Sequence, residues 1–255
     1  MIMTTWNINE VSKVNLKKPI LIEGLPGVGN VGKIAVDFII DSLKAKKIYE
    51  ITSYNFPHCV FVNEDNLVEL PAIEIFYKKI KGHDFLFLAG DIQPLDEKSC
   101  YEFCDSILDL FQKYEGKEII TLGGIALDRV PKQARIYCTG TNPKVIKRYQ
   151  SNIVKNIYGV IGPIIGVSGL LTGLARRRNL DAVSILAETF GHPTYLGVKS
   201  AKEILKLLNN KLNFKLDLNV LDKEVGEIER EISEKTNKIR DKTLIKPKKD
   251  VSYIG

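Results

Sequence analysis

The sequence predicts an α/β protein whose main domain spans residues 1–216, with a sheet covered by helices. Three observations carry this. Short apolar runs alternate with amphipathic stretches along that whole span. The composition, 44% hydrophobic and 27% charged, is that of an ordinary globular chain. Beyond residue 217 the pattern changes to charged heptads. At 255 residues the chain has the length for one well-buried core, or for a core plus an appendage.

Taken in order, residues 19–24 (Pro-Ile-Leu-Ile-Glu-Gly) form a buried strand, and 28–44 the helix after it. Residues 47–54 form a second strand; 59–63 and 72–79 are further strands. The run His83-Asp-Phe-Leu-Phe-Leu-Ala-Gly-Asp91 is apolar enough to be a central strand. Residues 96–114 read as a helix capped by Asp96, with Leu108 and Phe111 facing inward. Residues 118–124 form a buried strand that ends in glycines. A strand at 135–138, a helix at 142–152 and a glycine-punctuated loop or strand at 159–166 follow. Ser168 is placed as the N-cap of a helix reaching Arg178, residues 181–187 return to the sheet, and 198–212 form a helix with Ile204, Leu205 and Leu208 on its apolar side.

Leu218, Leu221, Val225, Ile228, Ile232 and Ile239 then make a heptad seam about three repeats long, so 217–241 is expected as a charged amphipathic helix. It either folds back on its own domain or pairs with another subunit. Residues 242–255 read as a flexible basic tail ending Val251-Ser-Tyr253-Ile254-Gly255.

Charge is uneven. Between Lys235 and Lys249 seven basic residues face one acid, Asp241, which equals the whole net charge of +6. A neutral body is not built to track a phosphate backbone, so nucleic acid is not the expected partner; an acidic protein surface suits the basic segment better. No stretch has the ~20 apolar residues of a bilayer span, and the first residues lack the pattern of a secretory signal, so a cytoplasmic location is expected. The four cysteines, Cys59, Cys100, Cys104 and Cys138, suit a reducing compartment. Cys100 and Cys104 sit one helical turn apart, the spacing of half a metal site. With no second pair to complete it, they read as buried apolar residues and no metal is expected.

Two motifs suggest chemistry. Gly27, Gly29 and Gly32 match a dinucleotide fingerprint, but Gly24-Leu25-Pro26 stands between strand and turn where the fingerprint allows no insertion. Read as a P-loop, Gly27 to Lys33 lacks the hydroxyl that binds magnesium, since Ile34 occupies that position. A tight strand-to-helix turn is the stronger reading; a nucleotide- or phosphate-binding enzyme using Gly27, Gly29, Gly32 and Lys33 is the alternative. Ser168, Asp181 and His192 reproduce the order of a hydrolase triad, but Leu170 stands where the nucleophile elbow requires glycine, so Ser168 is better placed as a helix cap and His192 as a loop residue.

Several segments together are similar to the archaeal proteasome-assembly chaperone family: Ile-Glu-Gly-Leu-Pro-Gly-Val-Gly-Asn-Val-Gly-Lys at 22–33, Ile-Thr-Leu-Gly-Gly at 120–124, Gly-Val-Ser-Gly-Leu-Leu-Thr-Gly at 166–173 and Leu-Ala-Glu-Thr at 186–189. The resemblance runs from about residue 18 to 221. It implies an α/β/α layered domain with helices on both faces, self-association into a homo-oligomer, no cofactor and no catalytic residues. It further implies binding to the outer (alpha) ring of the proteasome core particle, as an assembly factor or an ATP-independent activator. Family members that bind the mature particle end in a hydrophobic residue, a tyrosine and one last residue; here Tyr253 is third from the end. On physical grounds an aromatic anchor with a free carboxylate can enter a pocket between subunits, so Val251, Tyr253, Ile254 and Gly255 are the expected partner-binding residues.

Overall fold

Strands that are apolar on both faces need a helical layer on each side, and the chain supplies one. The computed structural model describes residues 5–150 and 162–221. Its strands are β1 (Trp6–Glu10), β2 (Ile20–Glu23), β3 (Lys46–Ser53), β4 (Phe61–Val62), β5 (Val68–Glu69), β6 (Ile73–Ile80), β7 (His83–Gly90), β8 (Glu118–Leu127), β9 (Ile136–Gly140) and β10 (Ala182–Phe190). Its helices are α1 (Val31–Leu43), α2 (Glu97–Lys113), α3 (Pro143–Tyr149), α4 (Val167–Arg177) and α5 (Val198–Leu212).

Eight strands form one mixed sheet in the order β1-β3-β6-β7-β2-β8-β10-β9, while β4 and β5 pair only with each other. The centre, β7-β2-β8-β10, is parallel, and both flanks are antiparallel. All four residues of β2 are buried, and Ile22 lies between Phe87 of β7 and Ile120 of β8. Helices α2 and α4 pack on one face, where Leu21, Leu86, Leu88 and Ile119 meet Phe103, Ile107, Phe111 and Leu171. Helices α1 and α5 cover the opposite face, and Phe214, just past α5, packs edge-on against Phe85 with ring centroids 5.0 Å apart. This is the expected α/β/α arrangement.

Local signals explain the helix starts. Asp96 caps α2 by accepting from Ser99 N–H at 2.9 Å, and Asn142 caps α3 by accepting from Val145 N–H at 3.0 Å. The expected cap of α4 is a correction: Gly166, at φ 86°, holds that position and Ser168 lies inside the first turn. A positive φ favours glycine there, and Gln93 Oε1 accepts from Val167 N–H instead.

Other differences have equally local causes. β8 runs on through Gly123 and Gly124 to Leu127, because β10 pairs with it along that whole length. The expected strand at 59–63 shrinks to Phe61–Val62 in a separate ribbon. β1 has no apolar run to announce it. Trp6 is its one fully buried residue, edge-on to Phe103 at 4.9 Å, and Ile8 packs beside it half-buried.

The chain divides into compact units Met1–Asp217 and Leu218–Gly255, and the elements named above all belong to the first. Val225, Ile228, Ile232 and Ile239 of the heptad seam, and the tail at 242–255, lie outside the described residues. Among the described residues no helix is long and apolar enough to cross a membrane.

Candidate functional site

Parallel strands of an α/β sheet deliver their carboxyl ends to one pole, where loops and helix N-termini leave a crevice. Here β2, β7, β8 and β10 end at that pole, and α1, α2, α4 and α5 start there. Between the turn after β2, the end of β8 and the start of α4 lies a crevice of about 270 Å³, lined by Leu25, Val28, Gly124, Ile164 and Ser168 among others.

The glycine-rich turn forms its inner wall. A side chain on Gly24 would lie 2.2 Å from the Gly32 carbonyl oxygen, and one on Gly32 would lie 2.4 Å from that of Leu122. These two glycines therefore serve contact between backbones. Gly29 adopts φ 61° in the short 3-10 turn Val28–Asn30, its carbonyl accepts from Gly197 N–H at 2.7 Å, and the buried Thr189 side chain packs against it. Gly27 has open space around it. Lys33 does not face the turn's N–H groups: its ammonium donates to the Gly90 carbonyl at 3.0 Å and lies 3.1 Å from Asp37 and 3.7 Å from Asp91. Three oxygens thus already surround the cation that a phosphate would need.

Two residues that sequence reasoning missed hold the crevice together. Gln93 donates to the Pro26 carbonyl at 2.9 Å and accepts from Val167 N–H at 3.2 Å, tying the glycine turn to α4. Glu23 is fully buried at the end of β2, accepting from Leu25 N–H at 3.0 Å and from the Ser168 hydroxyl at 2.9 Å. Burial pushes its carboxyl up to about 7, and those two hydrogen bonds only partly oppose the rise. A polar residue ending an apolar strand was the available signal for Glu23. Nothing in the sequence marked Gln93, whose role depends on which loops meet.

The residues of the hydrolase order have separate partners. Ser168 is bound to Glu23, Asp181 to Arg148 and Asn142, and His192 to Thr194 in its own loop. Cys100, Cys104 and Cys138 are buried, Cys59 is exposed, and among the described residues no group of three His, Cys, Asp or Glu is placed to hold a metal ion. Val251, Tyr253, Ile254 and Gly255 lie outside the described residues.

Comparison with known proteins fixes the lineage. The model of the PAC2 family matches residues 21–236, most of the chain. This chain belongs to the PAC2 family. Its fold superposes on Pyrococcus furiosus PbaB, an archaeal proteasome activator, with a TM-score of 0.82, 31% identity and coverage of 91% of this chain and 100% of that one. P. furiosus PbaA, an archaeal homologue of proteasome-assembly chaperone, matches with a TM-score of 0.74 and 26% identity over 93% of this chain and 96% of its own. An uncharacterised protein from Methanocaldococcus jannaschii is 27% identical over 247 residues, 94% of this chain and 93% of that protein. The PAC2 match takes in both walls of the crevice, the glycine turn and the start of α4.

Proposed function

We propose that this protein is a non-enzymatic, homo-oligomeric adaptor that binds the outer ring of the proteasome core particle through its carboxyl end, as an assembly chaperone or an ATP-independent activator. The observation that carries this reading is the similarity to the activator PbaB along nearly the whole domain. The terminal residues Val251, Tyr253, Ile254 and Gly255 add a docking chemistry: a ring to bury, and a carboxylate to pair with a lysine in a pocket between subunits. One such tail binds weakly. Several on one assembly raise the effective concentration and multiply affinity about a hundredfold or more, provided they engage together.

The crevice supports a platform role for the folded domain. Its glycines serve backbone packing at positions 24 and 32, and Lys33 is engaged by Asp37, Asp91 and the Gly90 carbonyl. Tyr253 stands third from the terminus, so the ring is expected to enter its pocket with two residues following it. The test is a pulldown with purified core particle, comparing the full chain with one ending at Lys249. Capture of the full chain alone is expected; equal capture of both would overturn the tail reading.

A further inference from the structure

The chain outside residues 235–249 sums to zero charge, yet the fold separates that charge along the strand axis. At the pole where β2, β7 and β8 begin, and where α1, α2, α4 and α5 end, basic residues gather from separate segments. Lys17 and Lys18 precede β2, Lys46 opens β3, Lys81 turns β6 into β7, and Lys117 precedes β8. Lys44, Lys113, Arg176 and Lys211 add the helix ends, and all of these residues are exposed. The order β3-β6-β7-β2-β8 sets the strands side by side, so at a strand spacing of ~4.8 Å the row is about 19 Å across. The opposite pole leans acidic, with Asp91, Asp96 and Glu97 in the connection after β7. A cation at a helix end offsets the negative end of its dipole. The lysines beside the strand starts serve no such end.

A second observation is conformational. Lys18, Lys44, Lys81 and Lys215 are left-handed, at φ 46°, 49°, 48° and 61°. A side chain there meets strain that glycine avoids and asparagine tolerates. Lys44 holds the place at the end of α1 where glycine is usual, with Ala45 N–H bonded to the Ile40 carbonyl at 2.9 Å. Lys81 is the first residue of the two-residue turn Lys81-Gly82, where asparagine or glycine is preferred. The other left-handed positions of this pole carry Glu115, Asn179 and Asn213. Lysine thus stands at positions where the backbone favours a smaller residue.

The domain itself does not use these charges. Among the described residues no carboxylate lies within ion-pair distance of Lys17, Lys18, Lys44, Lys46, Lys81 or Lys117. Acids nearby are already engaged: Asp84 accepts from Lys17 N–H at 2.8 Å and from the Tyr77 hydroxyl at 3.1 Å, and Arg148 holds Glu118 and Asp181. Lys17, Lys18 and Lys113 line an open depression of about 470 Å³ together with Tyr114, over whose ring Lys113 stands at 5.3 Å.

We infer that this pole is an electrostatic docking face for an acidic protein surface, its depression at Lys17, Lys18 and Lys113 taking a partner carboxylate. A phosphate backbone is the poorer fit. The strand-start cations are lysines rather than the arginine forks that clasp phosphate, and Asp41 and Glu115 stand exposed among them. The ring that would stack a base, Tyr114, is tied by its hydroxyl to that of Tyr49. Carboxylates set singly on a protein surface match a scatter of single lysines, and such complementarity steers and orients encounter more than it adds affinity. The inference rests on the reading of this protein as an adaptor for another protein, and names the face it presents.

The experiment compares the full chain with Lys18→Gly/Lys44→Gly/Lys81→Gly and with Lys98→Gln/Arg129→Gln/Lys132→Gln, which removes the same charge from the opposite pole. Glycine suits all three left-handed positions, so the first variant should melt no lower than the full chain. Binding is read by capture on purified core particle and, separately, by fluorescence anisotropy with polyglutamate and with duplex DNA. The glycine variant should bind core particle and polyglutamate about tenfold more weakly at low salt, a loss that shrinks as salt rises, and the opposite-pole variant should lose much less. Lysine acetylation, read residue by residue by mass spectrometry, reports the face independently of the basic tail. Lys17, Lys18 and Lys113 should be protected several-fold in the complex, and Lys98 and Lys132 should not. Equal weakening by both variants, pole lysines left unprotected, or a glycine variant that loses DNA more than polyglutamate would overturn the proposal. Core particle that fails to capture even the full chain counts against the proposed partner instead, and the polyglutamate and acetylation arms then decide the face.

Discussion

Glu23 is where a single residue sets a measurable property of the fold. Its carboxyl, 4.5 in the open chain, is pushed up to about 7 in the folded protein. The folded state therefore holds a proton that the unfolded state has released between those values. Stability contributed by this group is whole below pH 4.5, falls as pH rises, and levels off above about 7, a loss of about 3 kcal/mol at most. Glu23→Gln keeps an oxygen for Leu25 N–H, turns an amide N–H to the Ser168 hydroxyl, which can donate to the Leu122 carbonyl instead, and removes the titration. Urea melts at pH 5 and pH 8 should show the wild-type chain losing stability with rising pH and the variant changing much less; parallel slopes would mean that Glu23 is not the titrating group. Position 23 was legible as the end of an apolar strand. Its environment was not, because the hydroxyl that binds it comes from 145 residues further on.

At the scale of elements the glycine turn divides into positions that serve packing and one that does not. Gly24→Ala and Gly32→Ala each force a methyl against a backbone carbonyl, which cannot rotate away, and should cost about 2 kcal/mol or more. Gly27→Ala meets open space at an extended φ of −164° and should leave the melting temperature nearly unchanged. Thermal melts of the three variants test this, and equal losses at all three would reject the packing account. The strands around the turn were readable from apolar runs, α2 from its periodicity and its Asp96 cap, and α5 from its periodicity. Those signals are local and need no partner. β1 escaped because Trp6-Asn-Ile-Asn-Glu10 is mostly polar and holds its place through pairing with β3 and one buried indole. α4 was found but its cap was misplaced: Ser168 has the chemistry of a cap, yet its hydroxyl serves Glu23 and the true first N–H partner is a remote glutamine.

For the molecule as a whole, thiol access reports how the two layers hold together. Cys100 and Cys104 lie on the buried face of α2, and burial pushes the Cys138 thiol of β9 up to about 12. Under native conditions a maleimide or Ellman's reagent should therefore modify Cys59 promptly and the other three only at the rate of unfolding. Fast modification of all four would contradict the layered core. The amino-acid sequence by itself determined the α/β class, the alternation of strands and helices, the family and the candidate docking residues, because each is written in short-range pattern or in residue order. Tertiary structure alone decided which side chains the crevice brings together, that Lys33 is held by its own acids, and that lysines from separate segments gather at one pole of the sheet. Those outcomes depend on contacts between segments far apart in the chain, and the period and composition of any one segment carry no record of what will lie against it.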